Sequence, residues 1–184
     1  MIYDAIIIGA GPAGITASVY AARKKMNFLV ITKDIGGQTA WSGDIENYTG
    51  YQFITGPELA SKFEDHMRHY GIAVKQDSAV QEVTKTSDGV SVVTDQGAYE
   101  SRTVIIASGK RSRELHVPGE KEFKNKGLTY CATCDAPLFS GKDVAVIGGG
   151  NSGLDAALQL IRIARTIYLV NISDTLTCDP IMKE

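Results

Sequence analysis

The chain has 184 residues, 43% of them hydrophobic and 22% charged, and its 19 basic and 21 acidic side chains leave a formal charge of −2. That composition excludes a collagen or a disordered chain, and the charge balance argues against a dedicated nucleic-acid binder, which carries a basic stripe. The longest apolar runs, residues 6–8 and 144–147, are too short to cross a membrane, and Asp4 stands where a secretory leader carries Lys or Arg, so a cytoplasmic protein without membrane or nucleic-acid partners is expected.

In chain order, residues 4–8 form a short apolar run ending at Gly9, the pattern of a buried parallel strand. Pro12 sits where the first helical turn tolerates proline, and Ile15, Val19 and Ala22 then recur as one buried face. A second apolar run at 28–31 completes a strand–turn–helix–strand unit of βαβ size. Residues 32–56 read as irregular and rich in Gly, Thr and Asn, and a connection of that length inside a domain is usually functional. Pro57 opens a helix whose Leu59, Phe63, Met67 and Tyr70 share one side and which Gly71 closes. His66 and His69 on that helix have no Cys or acidic pair at metal spacing and are read as solvated or packing residues.

From 72 to 107 the pattern is strand-like, with turn signals at Ser87-Asp88-Gly89 and Asp95-Gln96-Gly97. A polar stretch at 110–126, broken by Pro118-Gly119, marks the expected boundary between a domain over 1–112 and another over 113–184. Beyond it, 144–147 repeats the opening pattern. Gly148 follows, then a helix with Leu154, Ala157, Leu158 and Ile161 on one face, then a strand at 166–170. The same device thus occurs twice, with a period too long for a solenoid.

Each copy carries GxGxxG between a strand and a helix: Gly9-Ala10-Gly11-Pro12-Ala13-Gly14, and Gly148-Gly149-Gly150-Asn151-Ser152-Gly153. The first glycine permits the tight turn, the second lets backbone approach a pyrophosphate, and the third lets helix and strand pack closely. The helix N-terminus then offers N–H groups to the phosphates. Two such sites imply two dinucleotides, and hydride exchange makes a flavin and a nicotinamide the natural pair. The acid that would hold a ribose is replaced by Thr32, with Asp34 beyond it, in the first unit, and by Asn171, with Asp174 beyond it, in the second. Neither region shows an Arg pair for a 2′-phosphate, which leaves NADH and NADPH both open.

Cys131-Ala132-Thr133-Cys134-Asp135 is CxxC followed by an acid. Two thiols at this spacing can close a small disulfide, a lowered thiol pKa would let one attack an external disulfide, and Asp135 is placed to move the proton. The same residues also fit half of a zinc site, which Cys178 and scattered histidines would have to complete, or a pair of buried inert thiols. No metal is expected, and Cys178 is read as a bystander.

The motifs together resemble the low-molecular-weight thioredoxin reductases, FAD-dependent pyridine nucleotide-disulfide oxidoreductases, and their relative, the flavoprotein subunit of alkyl hydroperoxide reductase. The matching stretches are IIIGAGPAG at 6–14, GGQ at 36–38, IEN at 45–47, VIIASG at 104–109, CATCDAP at 131–137 and VAVIGGGNSG at 144–153. The resemblance implies an α/β fold with two Rossmann-like, three-layer dinucleotide-binding units, a short β-meander in the first, and both the FAD domain and the second unit incomplete. FAD would lie on Gly9, Gly11, Pro12, Ala13, Gly14, Thr32, Gly36, Gly37 and Gln38, with Asn47 near the flavin, Val80 near the adenine, and Ala107, Ser108 and Gly109 beside them. NADPH or NADH would lie on Gly148, Gly149, Gly150, Asn151 and Ser152. Cys134 would face the flavin, Cys131 would attack the partner's disulfide and Asp135 would donate the proton. The implied partner is thioredoxin or a thioredoxin-like protein, and the implied assembly a homodimer.

Four departures from the family pattern stand out. The chain stops at Glu184, before the family's closing Gly-Asp motif; Asn171-Ile172-Ser173-Asp174 replaces the His-Arg-Arg run of NADPH users; Ser108 replaces Thr; and Gly153 replaces Ala. The alternatives implied are a reductase subunit of a peroxiredoxin system, a ferredoxin- or flavodoxin-fed thioredoxin reductase, and, for these 184 residues alone, an inactive truncated nucleotide-binding module.

Overall fold

The computed structural model describes residues 2–183 and divides into two compact units between Arg113 and Glu114. The first unit runs β1 (Ile2–Ala10), α1 (Pro12–Arg23), β2 (Phe28–Ile35), a short α2 (Gln38–Trp41), β3 (Asp44–Ile45), β4 (Ile54–Thr55), α3 (Gly56–His69), β5 (Val74–Lys75), β6 (Val80–Lys85), β7 (Val90–Thr94) and β8 (Gly97–Ile106). Its main sheet has the order β5-β2-β1-β8-β7-β6, parallel from β5 through β8 and antiparallel over the β8-β7-β6 meander.

β1 is central, with Ile6 opposite Leu29 on one side and Val104 on the other. Both faces of it are covered, which is why its sequence is a continuous apolar run and not an alternation. Ile7 and Val30 pack with Ile15, Ala21 and Met67 from the helical layer, while Ile6, Ile8, Leu29 and Ile31 meet Val92 of the meander. Helices, parallel sheet and meander are therefore three layers. Ile6, Ile7 and Ile31 are fully buried, each contributing about 1.5–3 kcal/mol by area removed from water.

Helix α3 starts where Thr55 Oγ1 accepts the Glu58 N–H at 3.3 Å, buries Leu59 and Met67, and ends before Gly71 at φ +61. His66 and His69 are exposed on it, their rings against Tyr70. The stretch 32–56, read as irregular, contains the end of β2, α2 and the β3–β4 pair. β8 is continuous from Gly97 to Ile106, pairing antiparallel with β7 and then parallel with β1. One strand can serve both because its two edges face different neighbours.

The second unit holds α4 (Glu120–Phe123), α5 (Ala132–Asp135), β9 (Asp143–Ile147), α6 (Asn151–Leu160) and β10 (Thr166–Val170), with β9 and β10 paired in parallel. Val144, Val146 and Ile167 pack against Ala156, Ala157 and Leu160 of α6. Half of the expected α6 face holds: Leu154 is buried and Ala157 packs on the strands, whereas Leu158 and Ile161 are half or more exposed and the small Ala156 makes the contact in their place.

Candidate functional site

The first glycine loop closes the C-terminal end of β1, where the β2 and β8 ends also arrive. Gly9 has φ +103, and a Cβ there would lie 2.4 Å from Ala107 O; one at Gly14 would lie 1.8 Å from Gly9 O. Those two glycines are demanded by packing. Gly11 is different: its φ is −77°, and the nearest atom to an added Cβ is Gly37 Cα at 4.0 Å. Nothing among the described residues forbids a side chain there. Gly11 and Gly37 thus border a side-chain-free gap, and α1 opens beside it at Pro12 with no side-chain cap on its first N–H groups. That is a cradle of the kind a pyrophosphate fills, so these residues fit a dinucleotide.

Around this gap the structure gathers Gly36, Gln38, Ala107, Ser108 and Gly109. Ala107 N donates to Ile8 O at 2.8 Å, Gly36 N donates to Ala10 O at 2.7 Å, and Gln38 Nε2 donates to Lys110 O. Arg111 pairs with Asp34 at 2.8 Å and lies over the Trp41 ring. Thr32 is buried and its hydroxyl is already committed, accepting from Ala10 N at 3.1 Å and donating to Asp34 O at 2.6 Å. Val80 begins β6, close to Ser78, whose N–H donates to Thr32 O at 3.0 Å. Asn47 is exposed in the loop between β3 and β4.

The second loop repeats the logic. Gly148 has φ +116, a Cβ on Gly153 would sit 1.9 Å from Gly148 O, and one on Gly150 would meet nothing closer than Thr177 Oγ1 at 3.6 Å. Again the outer glycines are structural and the middle one is open. Helix α6 starts there without a side-chain cap, and Ser152 is exposed on its first turn. Asn171 is not free for a ribose: its Oδ1 accepts from Gly149 N at 3.1 Å, and its Nδ2 donates to Ser173 O and Thr175 O. Asn151 is likewise engaged, donating to Asp179 Oδ2 at 3.0 Å and accepting from Asp179 N at 2.7 Å. Thr177 N donates to Gly149 O, so the 175–179 segment flanks the loop. No local pattern in the sequence signals that pairing, which spans 28 residues.

The cysteines lie at α5. Cys131 and Cys134 are joined as a disulfide across a Cα–Cα distance of 5.3 Å, with Cys134 exposed and Cys131 half-buried. Cys131 Sγ also accepts the Cys134 N–H at 3.3 Å, and Asp135 N donates to Cys131 O at 3.0 Å. Thr129 Oγ1 donates to Asp135 Oδ2 and accepts from Cys131 N at 3.1 Å. Among the described residues no group of three or more His, Cys, Asp or Glu is gathered for a metal, and Cys178 is buried and free.

One step upstream, Tyr130 donates its phenol to Glu120, a buried carboxylate that also takes the N–H groups of Leu115 at 2.7 Å and His116 at 2.6 Å. The Tyr130 hydrogen bond, helped by the backbone donors, holds Glu120 down to about 2; burial and then the Glu120 contact push Tyr130 up to about 12. Sequence reasoning missed Glu120, Thr129 and Tyr130. The last two are adjacent to CxxC, but Glu120 has no spacing that marks it.

The pyridine nucleotide-disulphide oxidoreductase family model matches residues 3–184. The chain belongs to this family. It is 40% identical over 183 residues to thioredoxin reductase of Bacillus subtilis, covering 99% of this chain and 58% of that protein. It is 41% identical over 184 residues to a subunit of alkyl hydroperoxide reductase in Xanthomonas campestris pv. phaseoli, covering 98% of this chain and 35% of the relative. Thioredoxin reductase from Streptococcus pyogenes superposes with a TM-score of 0.87 at 39% identity, covering 99% of this chain and 60% of that one. The family fold is thus the α/β, mostly parallel arrangement described above, and membership in the pyridine nucleotide-disulphide oxidoreductases implies flavin and nicotinamide cofactors. No described helix is long and apolar enough to cross a membrane.

Proposed function

We propose that this chain carries the dinucleotide- and dithiol-bearing part of an FAD-dependent disulfide reductase, which moves electrons from NAD(P)H by way of FAD and the Cys131–Cys134 pair to thioredoxin or a similar protein disulfide. The observation that carries the reading is the linked CxxC with Asp135 behind it, in a chain with an open middle glycine in each of two GxGxxG loops. Gly11, Ala13, Gly14, Gly36 and Gly37 would hold the FAD pyrophosphate in the first unit, and Gly148, Gly150 and Ser152 the nicotinamide dinucleotide in the second. A homodimer in the cytoplasm belongs to the same reading.

Flavin held on Gly11, Gly14, Gly36 and Gly37 would supply the electron pair for opening the disulfide, with the nicotinamide dinucleotide as the hydride source. The remaining chemistry belongs to the chain. Cys131 attacks the partner's disulfide, one partner sulfur leaves and takes a proton, and Cys134 then displaces the second partner sulfur. This re-forms the Cys131–Cys134 link while the partner is reduced to two thiols. For the donor, NADH is the reading supported by residues 171–179, which carry Asp174 and Asp179 and no Lys or Arg to meet a 2′-phosphate.

Anaerobic addition of NADH to the FAD-loaded protein should bleach the flavin and make both thiols available for alkylation and mass tagging. Bleaching with the two sulfurs still linked would overturn the relay. Likeness to an alkyl hydroperoxide reductase supports a second reading, a reductase for a peroxiredoxin system. Offering thioredoxin and a thioredoxin-like domain as competing disulfides separates the two.

A further inference from the structure

Resting on the disulfide-reductase reading above, we infer that Thr129 is a positioning residue that holds the Asp135 carboxyl against the Cys131–Cys134 pair for proton transfer during thiol–disulfide exchange. One hydroxyl does two things here: its proton goes to Asp135 Oδ2, and its oxygen takes the Cys131 N–H at 3.1 Å. The acid and the backbone of the reacting cysteine are thereby tied to a single atom. Asp135 is fixed at its other end too, since its N–H donates to Cys131 O at 3.0 Å. With Oδ2 tied to Thr129, Oδ1 is left to carry the proton.

The platform under Thr129 is itself anchored. Tyr130 is bonded to Glu120, and Glu120 takes the N–H groups of Leu115 and His116, so the segment entering the CxxC turn is held from the N-terminal side. A β-branched side chain adds to this by restricting χ1. Attack by Cys131 on an external disulfide forms one S–S bond and breaks another. Cys131 attacks as the thiolate, its proton having gone to water; the proton that the departing sulfur takes comes from Asp135, which regains one from water, so charge and atoms balance.

A leaving thiol of ordinary basicity needs that proton, whereas an acidic one departs as a stable thiolate. The full 184-residue chain, reduced and in a Cys178→Ala background, is therefore mixed with glutathione disulfide and, separately, with an aromatic nitrobenzoate disulfide. Thr129→Val is expected to slow the glutathione reaction by about tenfold while leaving the nitrobenzoate reaction unchanged, and Thr129→Ser is expected to restore it. Thr129→Ala, smaller and unable to strain the turn, should show the same split. Equal slowing of both reactions, or of neither, overturns the role of Thr129 while the dithiol reading stands. A parent chain that fails to release glutathione and re-form its Cys131–Cys134 link overturns that reading, and the inference with it.

Discussion

Asn171 Oδ1 takes the backbone N–H of Gly149 at 3.1 Å, and the corresponding bond in the other unit joins Thr32 Oγ1 to Ala10 N at 3.1 Å. In both units, a side chain near the C-terminal end of the second strand clamps the residue between the first two glycines of the loop. Thr32→Val keeps the shape and removes the acceptor, leaving the N–H of Ala10 unpaired at a site 1% exposed. The expected loss is about 1–3 kcal/mol, read from urea unfolding midpoints, with Thr32→Ser close to the parent. A Thr32→Val chain as stable as the parent would show that the clamp holds nothing.

The glycines of the first loop should separate by mutation. Gly14→Ala drives a methyl into Gly9 O, a backbone atom 1.8 Å away, and is expected to cost about 1–3 kcal/mol or more. Gly11→Ala meets no atom nearer than 4.0 Å and should cost less than about 1 kcal/mol, the effect of a poorer N-cap. FAD affinity should nevertheless collapse in Gly11→Ala. Thermal melts with a flavin-fluorescence titration test both, and retained affinity would remove the pyrophosphate from that gap.

The Glu120–Tyr130 pair gives the second unit a defined pH window. Glu120 lies at about 2 in the folded chain against an ordinary 4.5, so its contribution is full above 4.5 and is lost as the pH falls toward 2. Tyr130 is raised from 10.0 to about 12, so its neutral form contributes fully below 10 and is lost as the pH climbs through 12. Melting temperature against pH should therefore fall at both ends. Glu120→Gln should flatten the acid limb, and an unchanged limb would assign it to other carboxylates.

Ser78 Oγ is buried, 2% of the residue being exposed, and has no hydrogen-bond partner among the described residues. Removing an unsatisfied hydroxyl relieves a desolvation cost, so Ser78→Ala should be neutral or stabilising by up to about 1 kcal/mol. A clear destabilisation in chemical denaturation would mean that an ordered water satisfies it.

What the sequence made legible was local. The two glycine loops, the turns at 87–89 and 95–97 and the opening of α3 at Pro57 are written in neighbouring residues whose backbone demands are specific. Periodicity finds Leu154 and Ala157 of the α6 face but wrongly adds Leu158 and Ile161 and passes over Ala156, because it shows which residues are apolar and not which side meets the sheet. Thr32 and Asn171 stand where a ribose would be held, yet their polar atoms turn inward to backbone. The pairing of Asn151 with Asp179, and of Glu120 with Tyr130, joins residues with no shared period, so only the folded chain brings them to notice.

β1 is flanked by a strand on each side and sealed above and below, whereas among the described residues β9 and β10 have only one another. In heavy water the amides of Ile6 and Ile7 should keep their protons until the whole first unit opens, while those of Ala145 and Tyr168 should be replaced early through small local openings. The chain would then carry two clocks, a slow one at its N-terminal ribbon and a fast one in the half that holds its sulfur pair.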